Sequence, residues 1–497
     1  MVSSRKITRA SLAIFCASAL ALTGCGAGDG GLGGGSQSDA GAKNALATDG
    51  DEVVQDADGT GVEVSQRFFE SSDTVVVSAK DRDQQLRAAA IAVELGAPLL
   101  VRLDGTDAAI DAEVERLGAS RVIEVPGDDD AVAATEPVVA ERAEEDVAAI
   151  AALEAKNPRG LQMPPVFATA VSSRASVATA RAAGADVQVL AAADPRASSQ
   201  SMRDVMEQDV LALGRQWGSN ENFRARAALA ANGELPGGGG LVFPGRRMIA
   251  LYGHPYGPEL GVMGEQDPAA AVELAKQYAS WYEPLEDQPI IPAFEVIASV
   301  ASEFPGDDGN YSNETPMEDI APYVDAIVDA GGYAVIDLQP GQGNFLEQAK
   351  IYEELLKQPN VGLALDAEWK LNPGEQPLSR IGSATAAEIN EVADWLAALV
   401  RDNNLPQKAL ILHQFQVGMY PDRENIVTGQ PELAWILHAD GHGLPEQKFD
   451  TWNILRQGLD PNYFMAWKNF IDEDSPMFTP EQTYADVNPR PWFVTYQ

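Results

Sequence analysis

The feature that most constrains the fold lies in residues 246–497, where one unit recurs: an apolar strand, a polar residue at its end, a Gly/Pro-containing loop and an amphipathic helix. The strands read at 248–254 (ending in Tyr252 and His254), 291–295 (Glu295), 334–337 (Asp337), 361–368 (Asp366 and Glu368), 409–414 (His413 and Gln414), 435–440 (His438 and Asp440) and 463–468 (Lys468). Helices between strands require parallel pairing, because a parallel crossover must span the length of the sheet. Seven such units predict a TIM-like (β/α)8 barrel with one strand weakly written.

The fourth strand shows the barrel logic most plainly. Side chains alternate across a strand, so Gly362, Ala364, Asp366 and Glu368 share one face and Val361, Leu363 and Leu365 the other. Small residues suit a crowded interior and large apolar ones meet the helices. Asp366 and Glu368 then emerge together at the C-terminal rim, where barrel enzymes carry their sites. All four histidines of the chain, His254, His413, His438 and His442, also fall at or just after strand ends. Converging carboxylates shift one another's pKa, so one stays protonated as an acid while another stays ionised. Glycoside hydrolysis needs that division of labour.

Asp366 and Glu368 are therefore the expected catalytic pair, with Glu295, Asp337 and His254 assisting. Tyr252, His413, Gln414, His438, Asp440 and Lys468 are expected to bind substrate, with Trp369 and Trp467 stacking on sugar rings. The Asp366-x-Glu368 pair is similar to that of barrel muramidases, an analogy of architecture. Two other readings stand beside the hydrolase: a non-catalytic surface protein whose rim binds a glycan or a protein partner, and a metal-dependent hydrolase. His254, Asp337, Asp366, His413 and His438 are acceptable ligand types, yet no His-x-His or His-Glu-x-x-His spacing occurs, so neither a metal nor another cofactor is expected.

At the other end of the chain, Arg5, Lys6 and Arg9 precede an apolar run over 10–22, too short for a permanent membrane helix. Leu22-Thr23-Gly24-Cys25 closes it and resembles a bacterial lipobox. That resemblance implies a signal peptide over 1–24, a diacylglyceryl (palmitate-type) anchor on Cys25, and a place on the outer face of the cytoplasmic membrane, facing the cell wall. Cys16 falls in the removed segment, so no disulfide framework remains. Residues 25–64, rich in Gly, Ser, Ala and Asp, read as a flexible lipidated tether.

Residues 65–231 alternate strands (74–78, 98–101, 121–125, 166–168, 187–190) with Ala-rich helices (84–95, 108–117, 137–156), which predicts a Rossmann-like parallel-sheet domain. Val75-Val76-Val77-Ser78, Leu86 to Ala92, Ala97-Pro98-Leu99-Leu100-Val101 and Val122-Ile123-Glu124 resemble the cell-wall-binding repeat 2 family. The unit here ends in Val125-Pro126-Gly127 where that family has Gly-Gly. The resemblance implies attachment to wall polysaccharide or peptidoglycan; a plain doubly wound domain fits the same alternation. Residues 232–245, with Leu235-Pro236-Gly237-Gly238-Gly239-Gly240, read as a linker. In the barrel, Tyr252-Gly253-His254-Pro255, Leu260 to Glu265, Asp337 to Gly341 and Trp467-Lys468-Asn469-Phe470 resemble an uncharacterised family of actinobacterial secreted proteins and lipoproteins. A formal net charge of −39 repels phosphate backbones, which excludes nucleic acid as a partner.

Overall fold

The computed structural model describes residues 46–125, 140–154 and 162–497. The expected signal peptide, Cys25, the expected tether up to residue 45, and Pro126-Gly127 lie outside the described residues. The N-terminal part runs β1 (Glu52–Val54), α1 (Val62–Phe68), β2 (Thr74–Ser78), α2 (Arg82–Leu95), β3 (Leu99–Val101), α3 (Asp107–Leu117), β4 (Arg121–Val125), α4 (Ala140–Ala151), β5 (Val166–Thr169), α5 (Arg174–Ala183), β6 (Val187–Leu190), α6 (Ser199–Glu207), β7 (Leu211–Leu213) and α7 (Asn220–Ala228).

These strands do not form the single sheet expected. They divide into two parallel sheets, one ordered β3-β2-β4 and one ordered β1-β7-β5-β6. The edge of β3 away from β2 is already occupied. Thr179 on α5 accepts the Leu99 N–H at 3.0 Å and donates to the Leu99 carbonyl at 3.1 Å, so a side chain occupies groups that another strand would pair. The Ala-rich faces of α2 (Ala88, Ala89, Ala92) and α5 (Ala178, Ala182) lie in one buried core with residues of both sheets. Residues 52–54 also depart from the tether reading: β1 pairs with β7 in parallel.

Residues 232–245 are packed rather than pendent. Leu235, Val242 and Phe243 are buried in the barrel's interior core. The buried Arg246 guanidinium donates to the carbonyls of Pro236 and Gly238, fixing the glycine-rich turn.

The barrel runs β8 (Arg247–Gly253), α8 (Pro268–Tyr282), β9 (Ile290–Ala301), β10 (Ser312–Glu314), α9 (Met317–Asp329), β11 (Tyr333–Leu338), α10 (Phe345–Ile351), α11 (Glu353–Leu356), β12 (Val361–Asp366), α12 (Ala386–Asp402), β13 (Lys408–Gln414), β14 (Leu433–Ala439), α13 (Pro445–Leu455), β15 (Tyr463–Asn469), α14 (Pro480–Asp486) and β16 (Phe493–Tyr496). β10 is an antiparallel addition to β9. The other eight strands pair in parallel around a closed ring, with β16 joining β15 to β8. β16 is the strand missing from the sequence reading. Only four residues long and preceded by Pro489 and Pro491, it offers too short an apolar run to be distinguished from a loop.

Alternation sorts every strand. Leu251, Val296, Ile336, Leu363, Leu412, Leu437, Trp467 and Val494 face the helices. Ala250, Ala293, Val335, Ala364, Ile411, Ile436, Ala466 and Phe493, one from each strand, fill the interior. Mostly small or β-branched residues sit there because eight strands converge on one axis. Gly362 marks the tightest point: an added Cβ would stand 2.9 Å from Ala409 Cβ and 3.1 Å from Tyr333 Oη. Gly362→Val is expected to lower stability by about 1–3 kcal/mol through overpacking. A shifted urea midpoint checks this; an unchanged one would show a looser interior.

Candidate active site

Two residues beyond each interior apolar side chain, the same strand face turns polar. Tyr252, Glu295, Asp337, Asp366, His413, His438, Lys468 and Thr495, again one per strand, are all buried. Strand register makes them neighbours: Tyr252 lies opposite Glu295, Asp366 opposite His413, and His413 opposite His438. The ring follows from period-two alternation carried two residues past the apolar core.

The ring is cross-linked. Tyr252 donates its hydroxyl to Asp337 Oδ2 at 2.7 Å. His413 lies between two carboxylates, Nε2 at 2.8 Å from Glu295 Oε1 and Nδ1 at 2.8 Å from Asp440 Oδ2. His438 Nε2 pairs with the Thr495 hydroxyl at 3.0 Å. The Lys468 ammonium sits 3.7 Å from Asp440 Oδ2 and 3.7 Å from the centre of the Tyr252 ring. Asp366 Oδ1 accepts the Glu368 N–H at 3.1 Å, capping the turn that carries Glu368.

Electrostatics separates these groups. Burial, with Asp440's negative charge adding to it, pushes Glu368 up to about 7. Asp366 goes well above the ordinary carboxyl range, through burial reinforced by Asp337, Asp440 and Glu368. Burial raises Asp337 to about 6. Burial would raise Asp440 as well, but Lys468 and His413 outweigh it and hold Asp440 low. Burial opposes charge on His413, yet Glu295, Asp337 and Asp440 prevail and push it well up. Burial, the positive His413 and Lys468 keep His438 neutral.

Above the ring, at the C-terminal ends of the strands, opens a cavity of about 400 Å³. Tyr252, Asp366, Glu368, Asp440 and Lys468 supply its polar wall, while Ile297, Phe415, Phe470 and Trp369 supply apolar surface. A second cavity of about 270 Å³, lined by Leu371, Leu378, Arg380 and Ile381, shares Glu368 and Trp369 with the first. Glu368 therefore stands where two cavities meet.

Of the residues expected from sequence, Glu295, Asp337, His413 and His438 belong to the ring but not to the cavity wall. Three others lie elsewhere. Trp467 is 1% exposed and packs among Phe449, Trp452 and Phe478 on the outer face of β15, so it has no face for a sugar. It follows Ala466, an interior residue, and alternation alone turns it outward. Gln414 is likewise the outward neighbour of His413, and accepts from Arg423 at 2.7 Å. His254 bonds Thr315 Oγ1 at 2.8 Å and does not line the cavity. Thr495, Phe415 and Phe470 were not singled out as site residues; Thr495 was hidden with its strand, and the two phenylalanines lie on loops that carry no periodic signal. His442 also lines the cavity, edge-on to Phe470. Neither a protein-family model nor a curated protein matches this chain.

Proposed function

We propose that the barrel is a glycan hydrolase of the cell envelope, held to the membrane by a lipid on Cys25, with a polysaccharide of the wall as its substrate. The observation that carries this reading is Glu368, a carboxyl raised to about 7 at the junction of two cavities, beside an Asp440 held ionised by Lys468 and His413. Glu368 acts as general acid on the leaving-group oxygen. Asp440 serves as the ionised partner, nucleophile or base, on the reacting sugar. Asp366, its carboxyl raised by burial and like charge, holds the Glu368 turn rather than sharing the acid–base work as its nearest sequence partner. Trp369 beside Glu368 gives a stacking surface, and cavities on both sides of the acid suit a substrate that extends in both directions, as a polymer does.

The sign of the pH dependence follows. A general acid works only while protonated, so kcat is expected to hold below about 7 and to fall about tenfold per unit above it. A kcat–pH profile on wall glycan checks this. A profile flat from about pH 6 to 9 would remove Glu368 from that role.

A further inference from the structure

We propose that the ring beneath the cavity is a binding site for one divalent transition metal, held by His413 Nε2, His438 Nδ1 and Glu295, with Asp337 Oδ1 as a fourth ligand. Three buried atoms of this ring have no hydrogen-bond partner among the described residues: Glu295 Oε2, Asp337 Oδ1 and His438 Nδ1. All three residues are 0% exposed, so each atom carries the full cost of leaving water unless something binds it. Three orphaned atoms in one ring, on β9, β11 and β14, point to a missing common partner.

The spacing fits a cation. Ligand atoms of Glu295, His413 and His438 all lie within 4.8 Å of one another. His413 Nε2 is 2.8 Å from Glu295 Oε1 and 4.0 Å from Asp337 Oδ1, and His438 Nδ1 is 3.7 Å from Glu295 Oε2. Tetrahedral ligands at zinc-like bond lengths stand roughly 3.3 Å apart, within that spread.

The outer atoms are arranged as metal ligands require. A metal-binding histidine is oriented through its other nitrogen and a carboxylate through its other oxygen. Here His413 Nδ1 is engaged by Asp440 Oδ2, His438 Nε2 by Thr495 Oγ1, and Asp337 Oδ2 by the Tyr252 hydroxyl. Three of the four ligands are thus held through their other atom, and two of these three, His438 and Asp337, keep an unpartnered atom. Two imidazoles with one or two carboxylates suit Zn²⁺ and neighbouring first-row dications. The sequence concealed this set because its members come from separate strands, with no short spacing between them.

The test is Zn²⁺ binding to the full chain after removal of metal by a chelator, followed by calorimetry and metal analysis, with near-ultraviolet circular dichroism reporting the fold. One tight equivalent per chain is expected, lost in His438→Asn and weakened about 10–100-fold in Thr495→Val, which leaves every ligand in place but frees the His438 ring. Absence of a tight equivalent in the folded parent would overturn the site. So would tight binding left unchanged by both variants, which would place the zinc on the acidic surface. Should His438→Asn fail to fold, Thr495→Val decides alone: unchanged affinity there refutes the assignment. None of these readouts depends on hydrolase activity, so failure of the metal site and failure of the glycan reading are distinguishable; a bound dication would take the place of the proton that His413 Nε2 shares with Glu295.

Discussion

Glu368→Gln is expected to lower kcat on wall glycan by about 10²–10⁴-fold, the usual contribution of a positioned general acid. The amide keeps the size of the carboxyl but cannot release a proton to the leaving group. Glu368 is only half-buried and forms no ion pair among the described residues, so the thermal midpoint should barely move. The loss should shrink on an aryl glycoside, whose leaving group departs without protonation. An equal loss on both substrates would indicate a collapsed cavity instead of a missing acid. The pH dependence should follow the same residue: the fall above about 7 in the parent should vanish in Glu368→Gln.

The second large effect lies at the opposite end of the barrel. Phe243→Ala is expected to cost about 3–5 kcal/mol of stability, the range for removing a buried aromatic ring. Phe243 is 2% exposed, with ring centres 5.4 Å from Phe464 and 5.7 Å from Trp492. It closes the end of the barrel interior away from the cavity, together with Leu235 and Val242. kcat per folded molecule should therefore stay near the parent value while the urea midpoint falls. A loss of less than about 1 kcal/mol would mean that residues 232–245 pack loosely and behave as the linker their glycines suggest.

That segment shows where sequence reasoning stops. A run of glycines signals a chain free to turn, and it does turn here, but composition does not reveal that Leu235, Val242 and Phe243 on either side are anchored in the barrel. The same limit explains the N-terminal sheets. Strands 74–78, 121–125 and 187–190 were legible from their β-branched runs, and β2, β4 and β6 occupy those residues. The edge of β3 at which the sheets divide is occupied by the Thr179 hydroxyl and the Thr60 carbonyl, contacts that no periodicity encodes.

The barrel was legible because its rule is local. Alternation on 361–368 placed Asp366 inward from sequence alone, and extending that rule strand by strand generates the whole polar ring. Trp467 and Gln414 broke the expectation for the same reason: each is adjacent to an inward residue and is therefore turned outward. Their residue types suited a sugar site, but parity along the strand excluded them. Phe415 and Phe470 required the folded loops to bring them to the cavity.

The most direct measurement is the release of new reducing ends from purified envelope polysaccharide by the soluble chain beginning at residue 26, at about pH 6 where Glu368 is protonated, beside its Glu368→Gln variant. Reducing ends that accumulate with the parent and not with the variant are the expected result. No release from any wall fraction, while the folded protein still sediments with the wall, would contradict hydrolysis and leave a glycan-binding barrel.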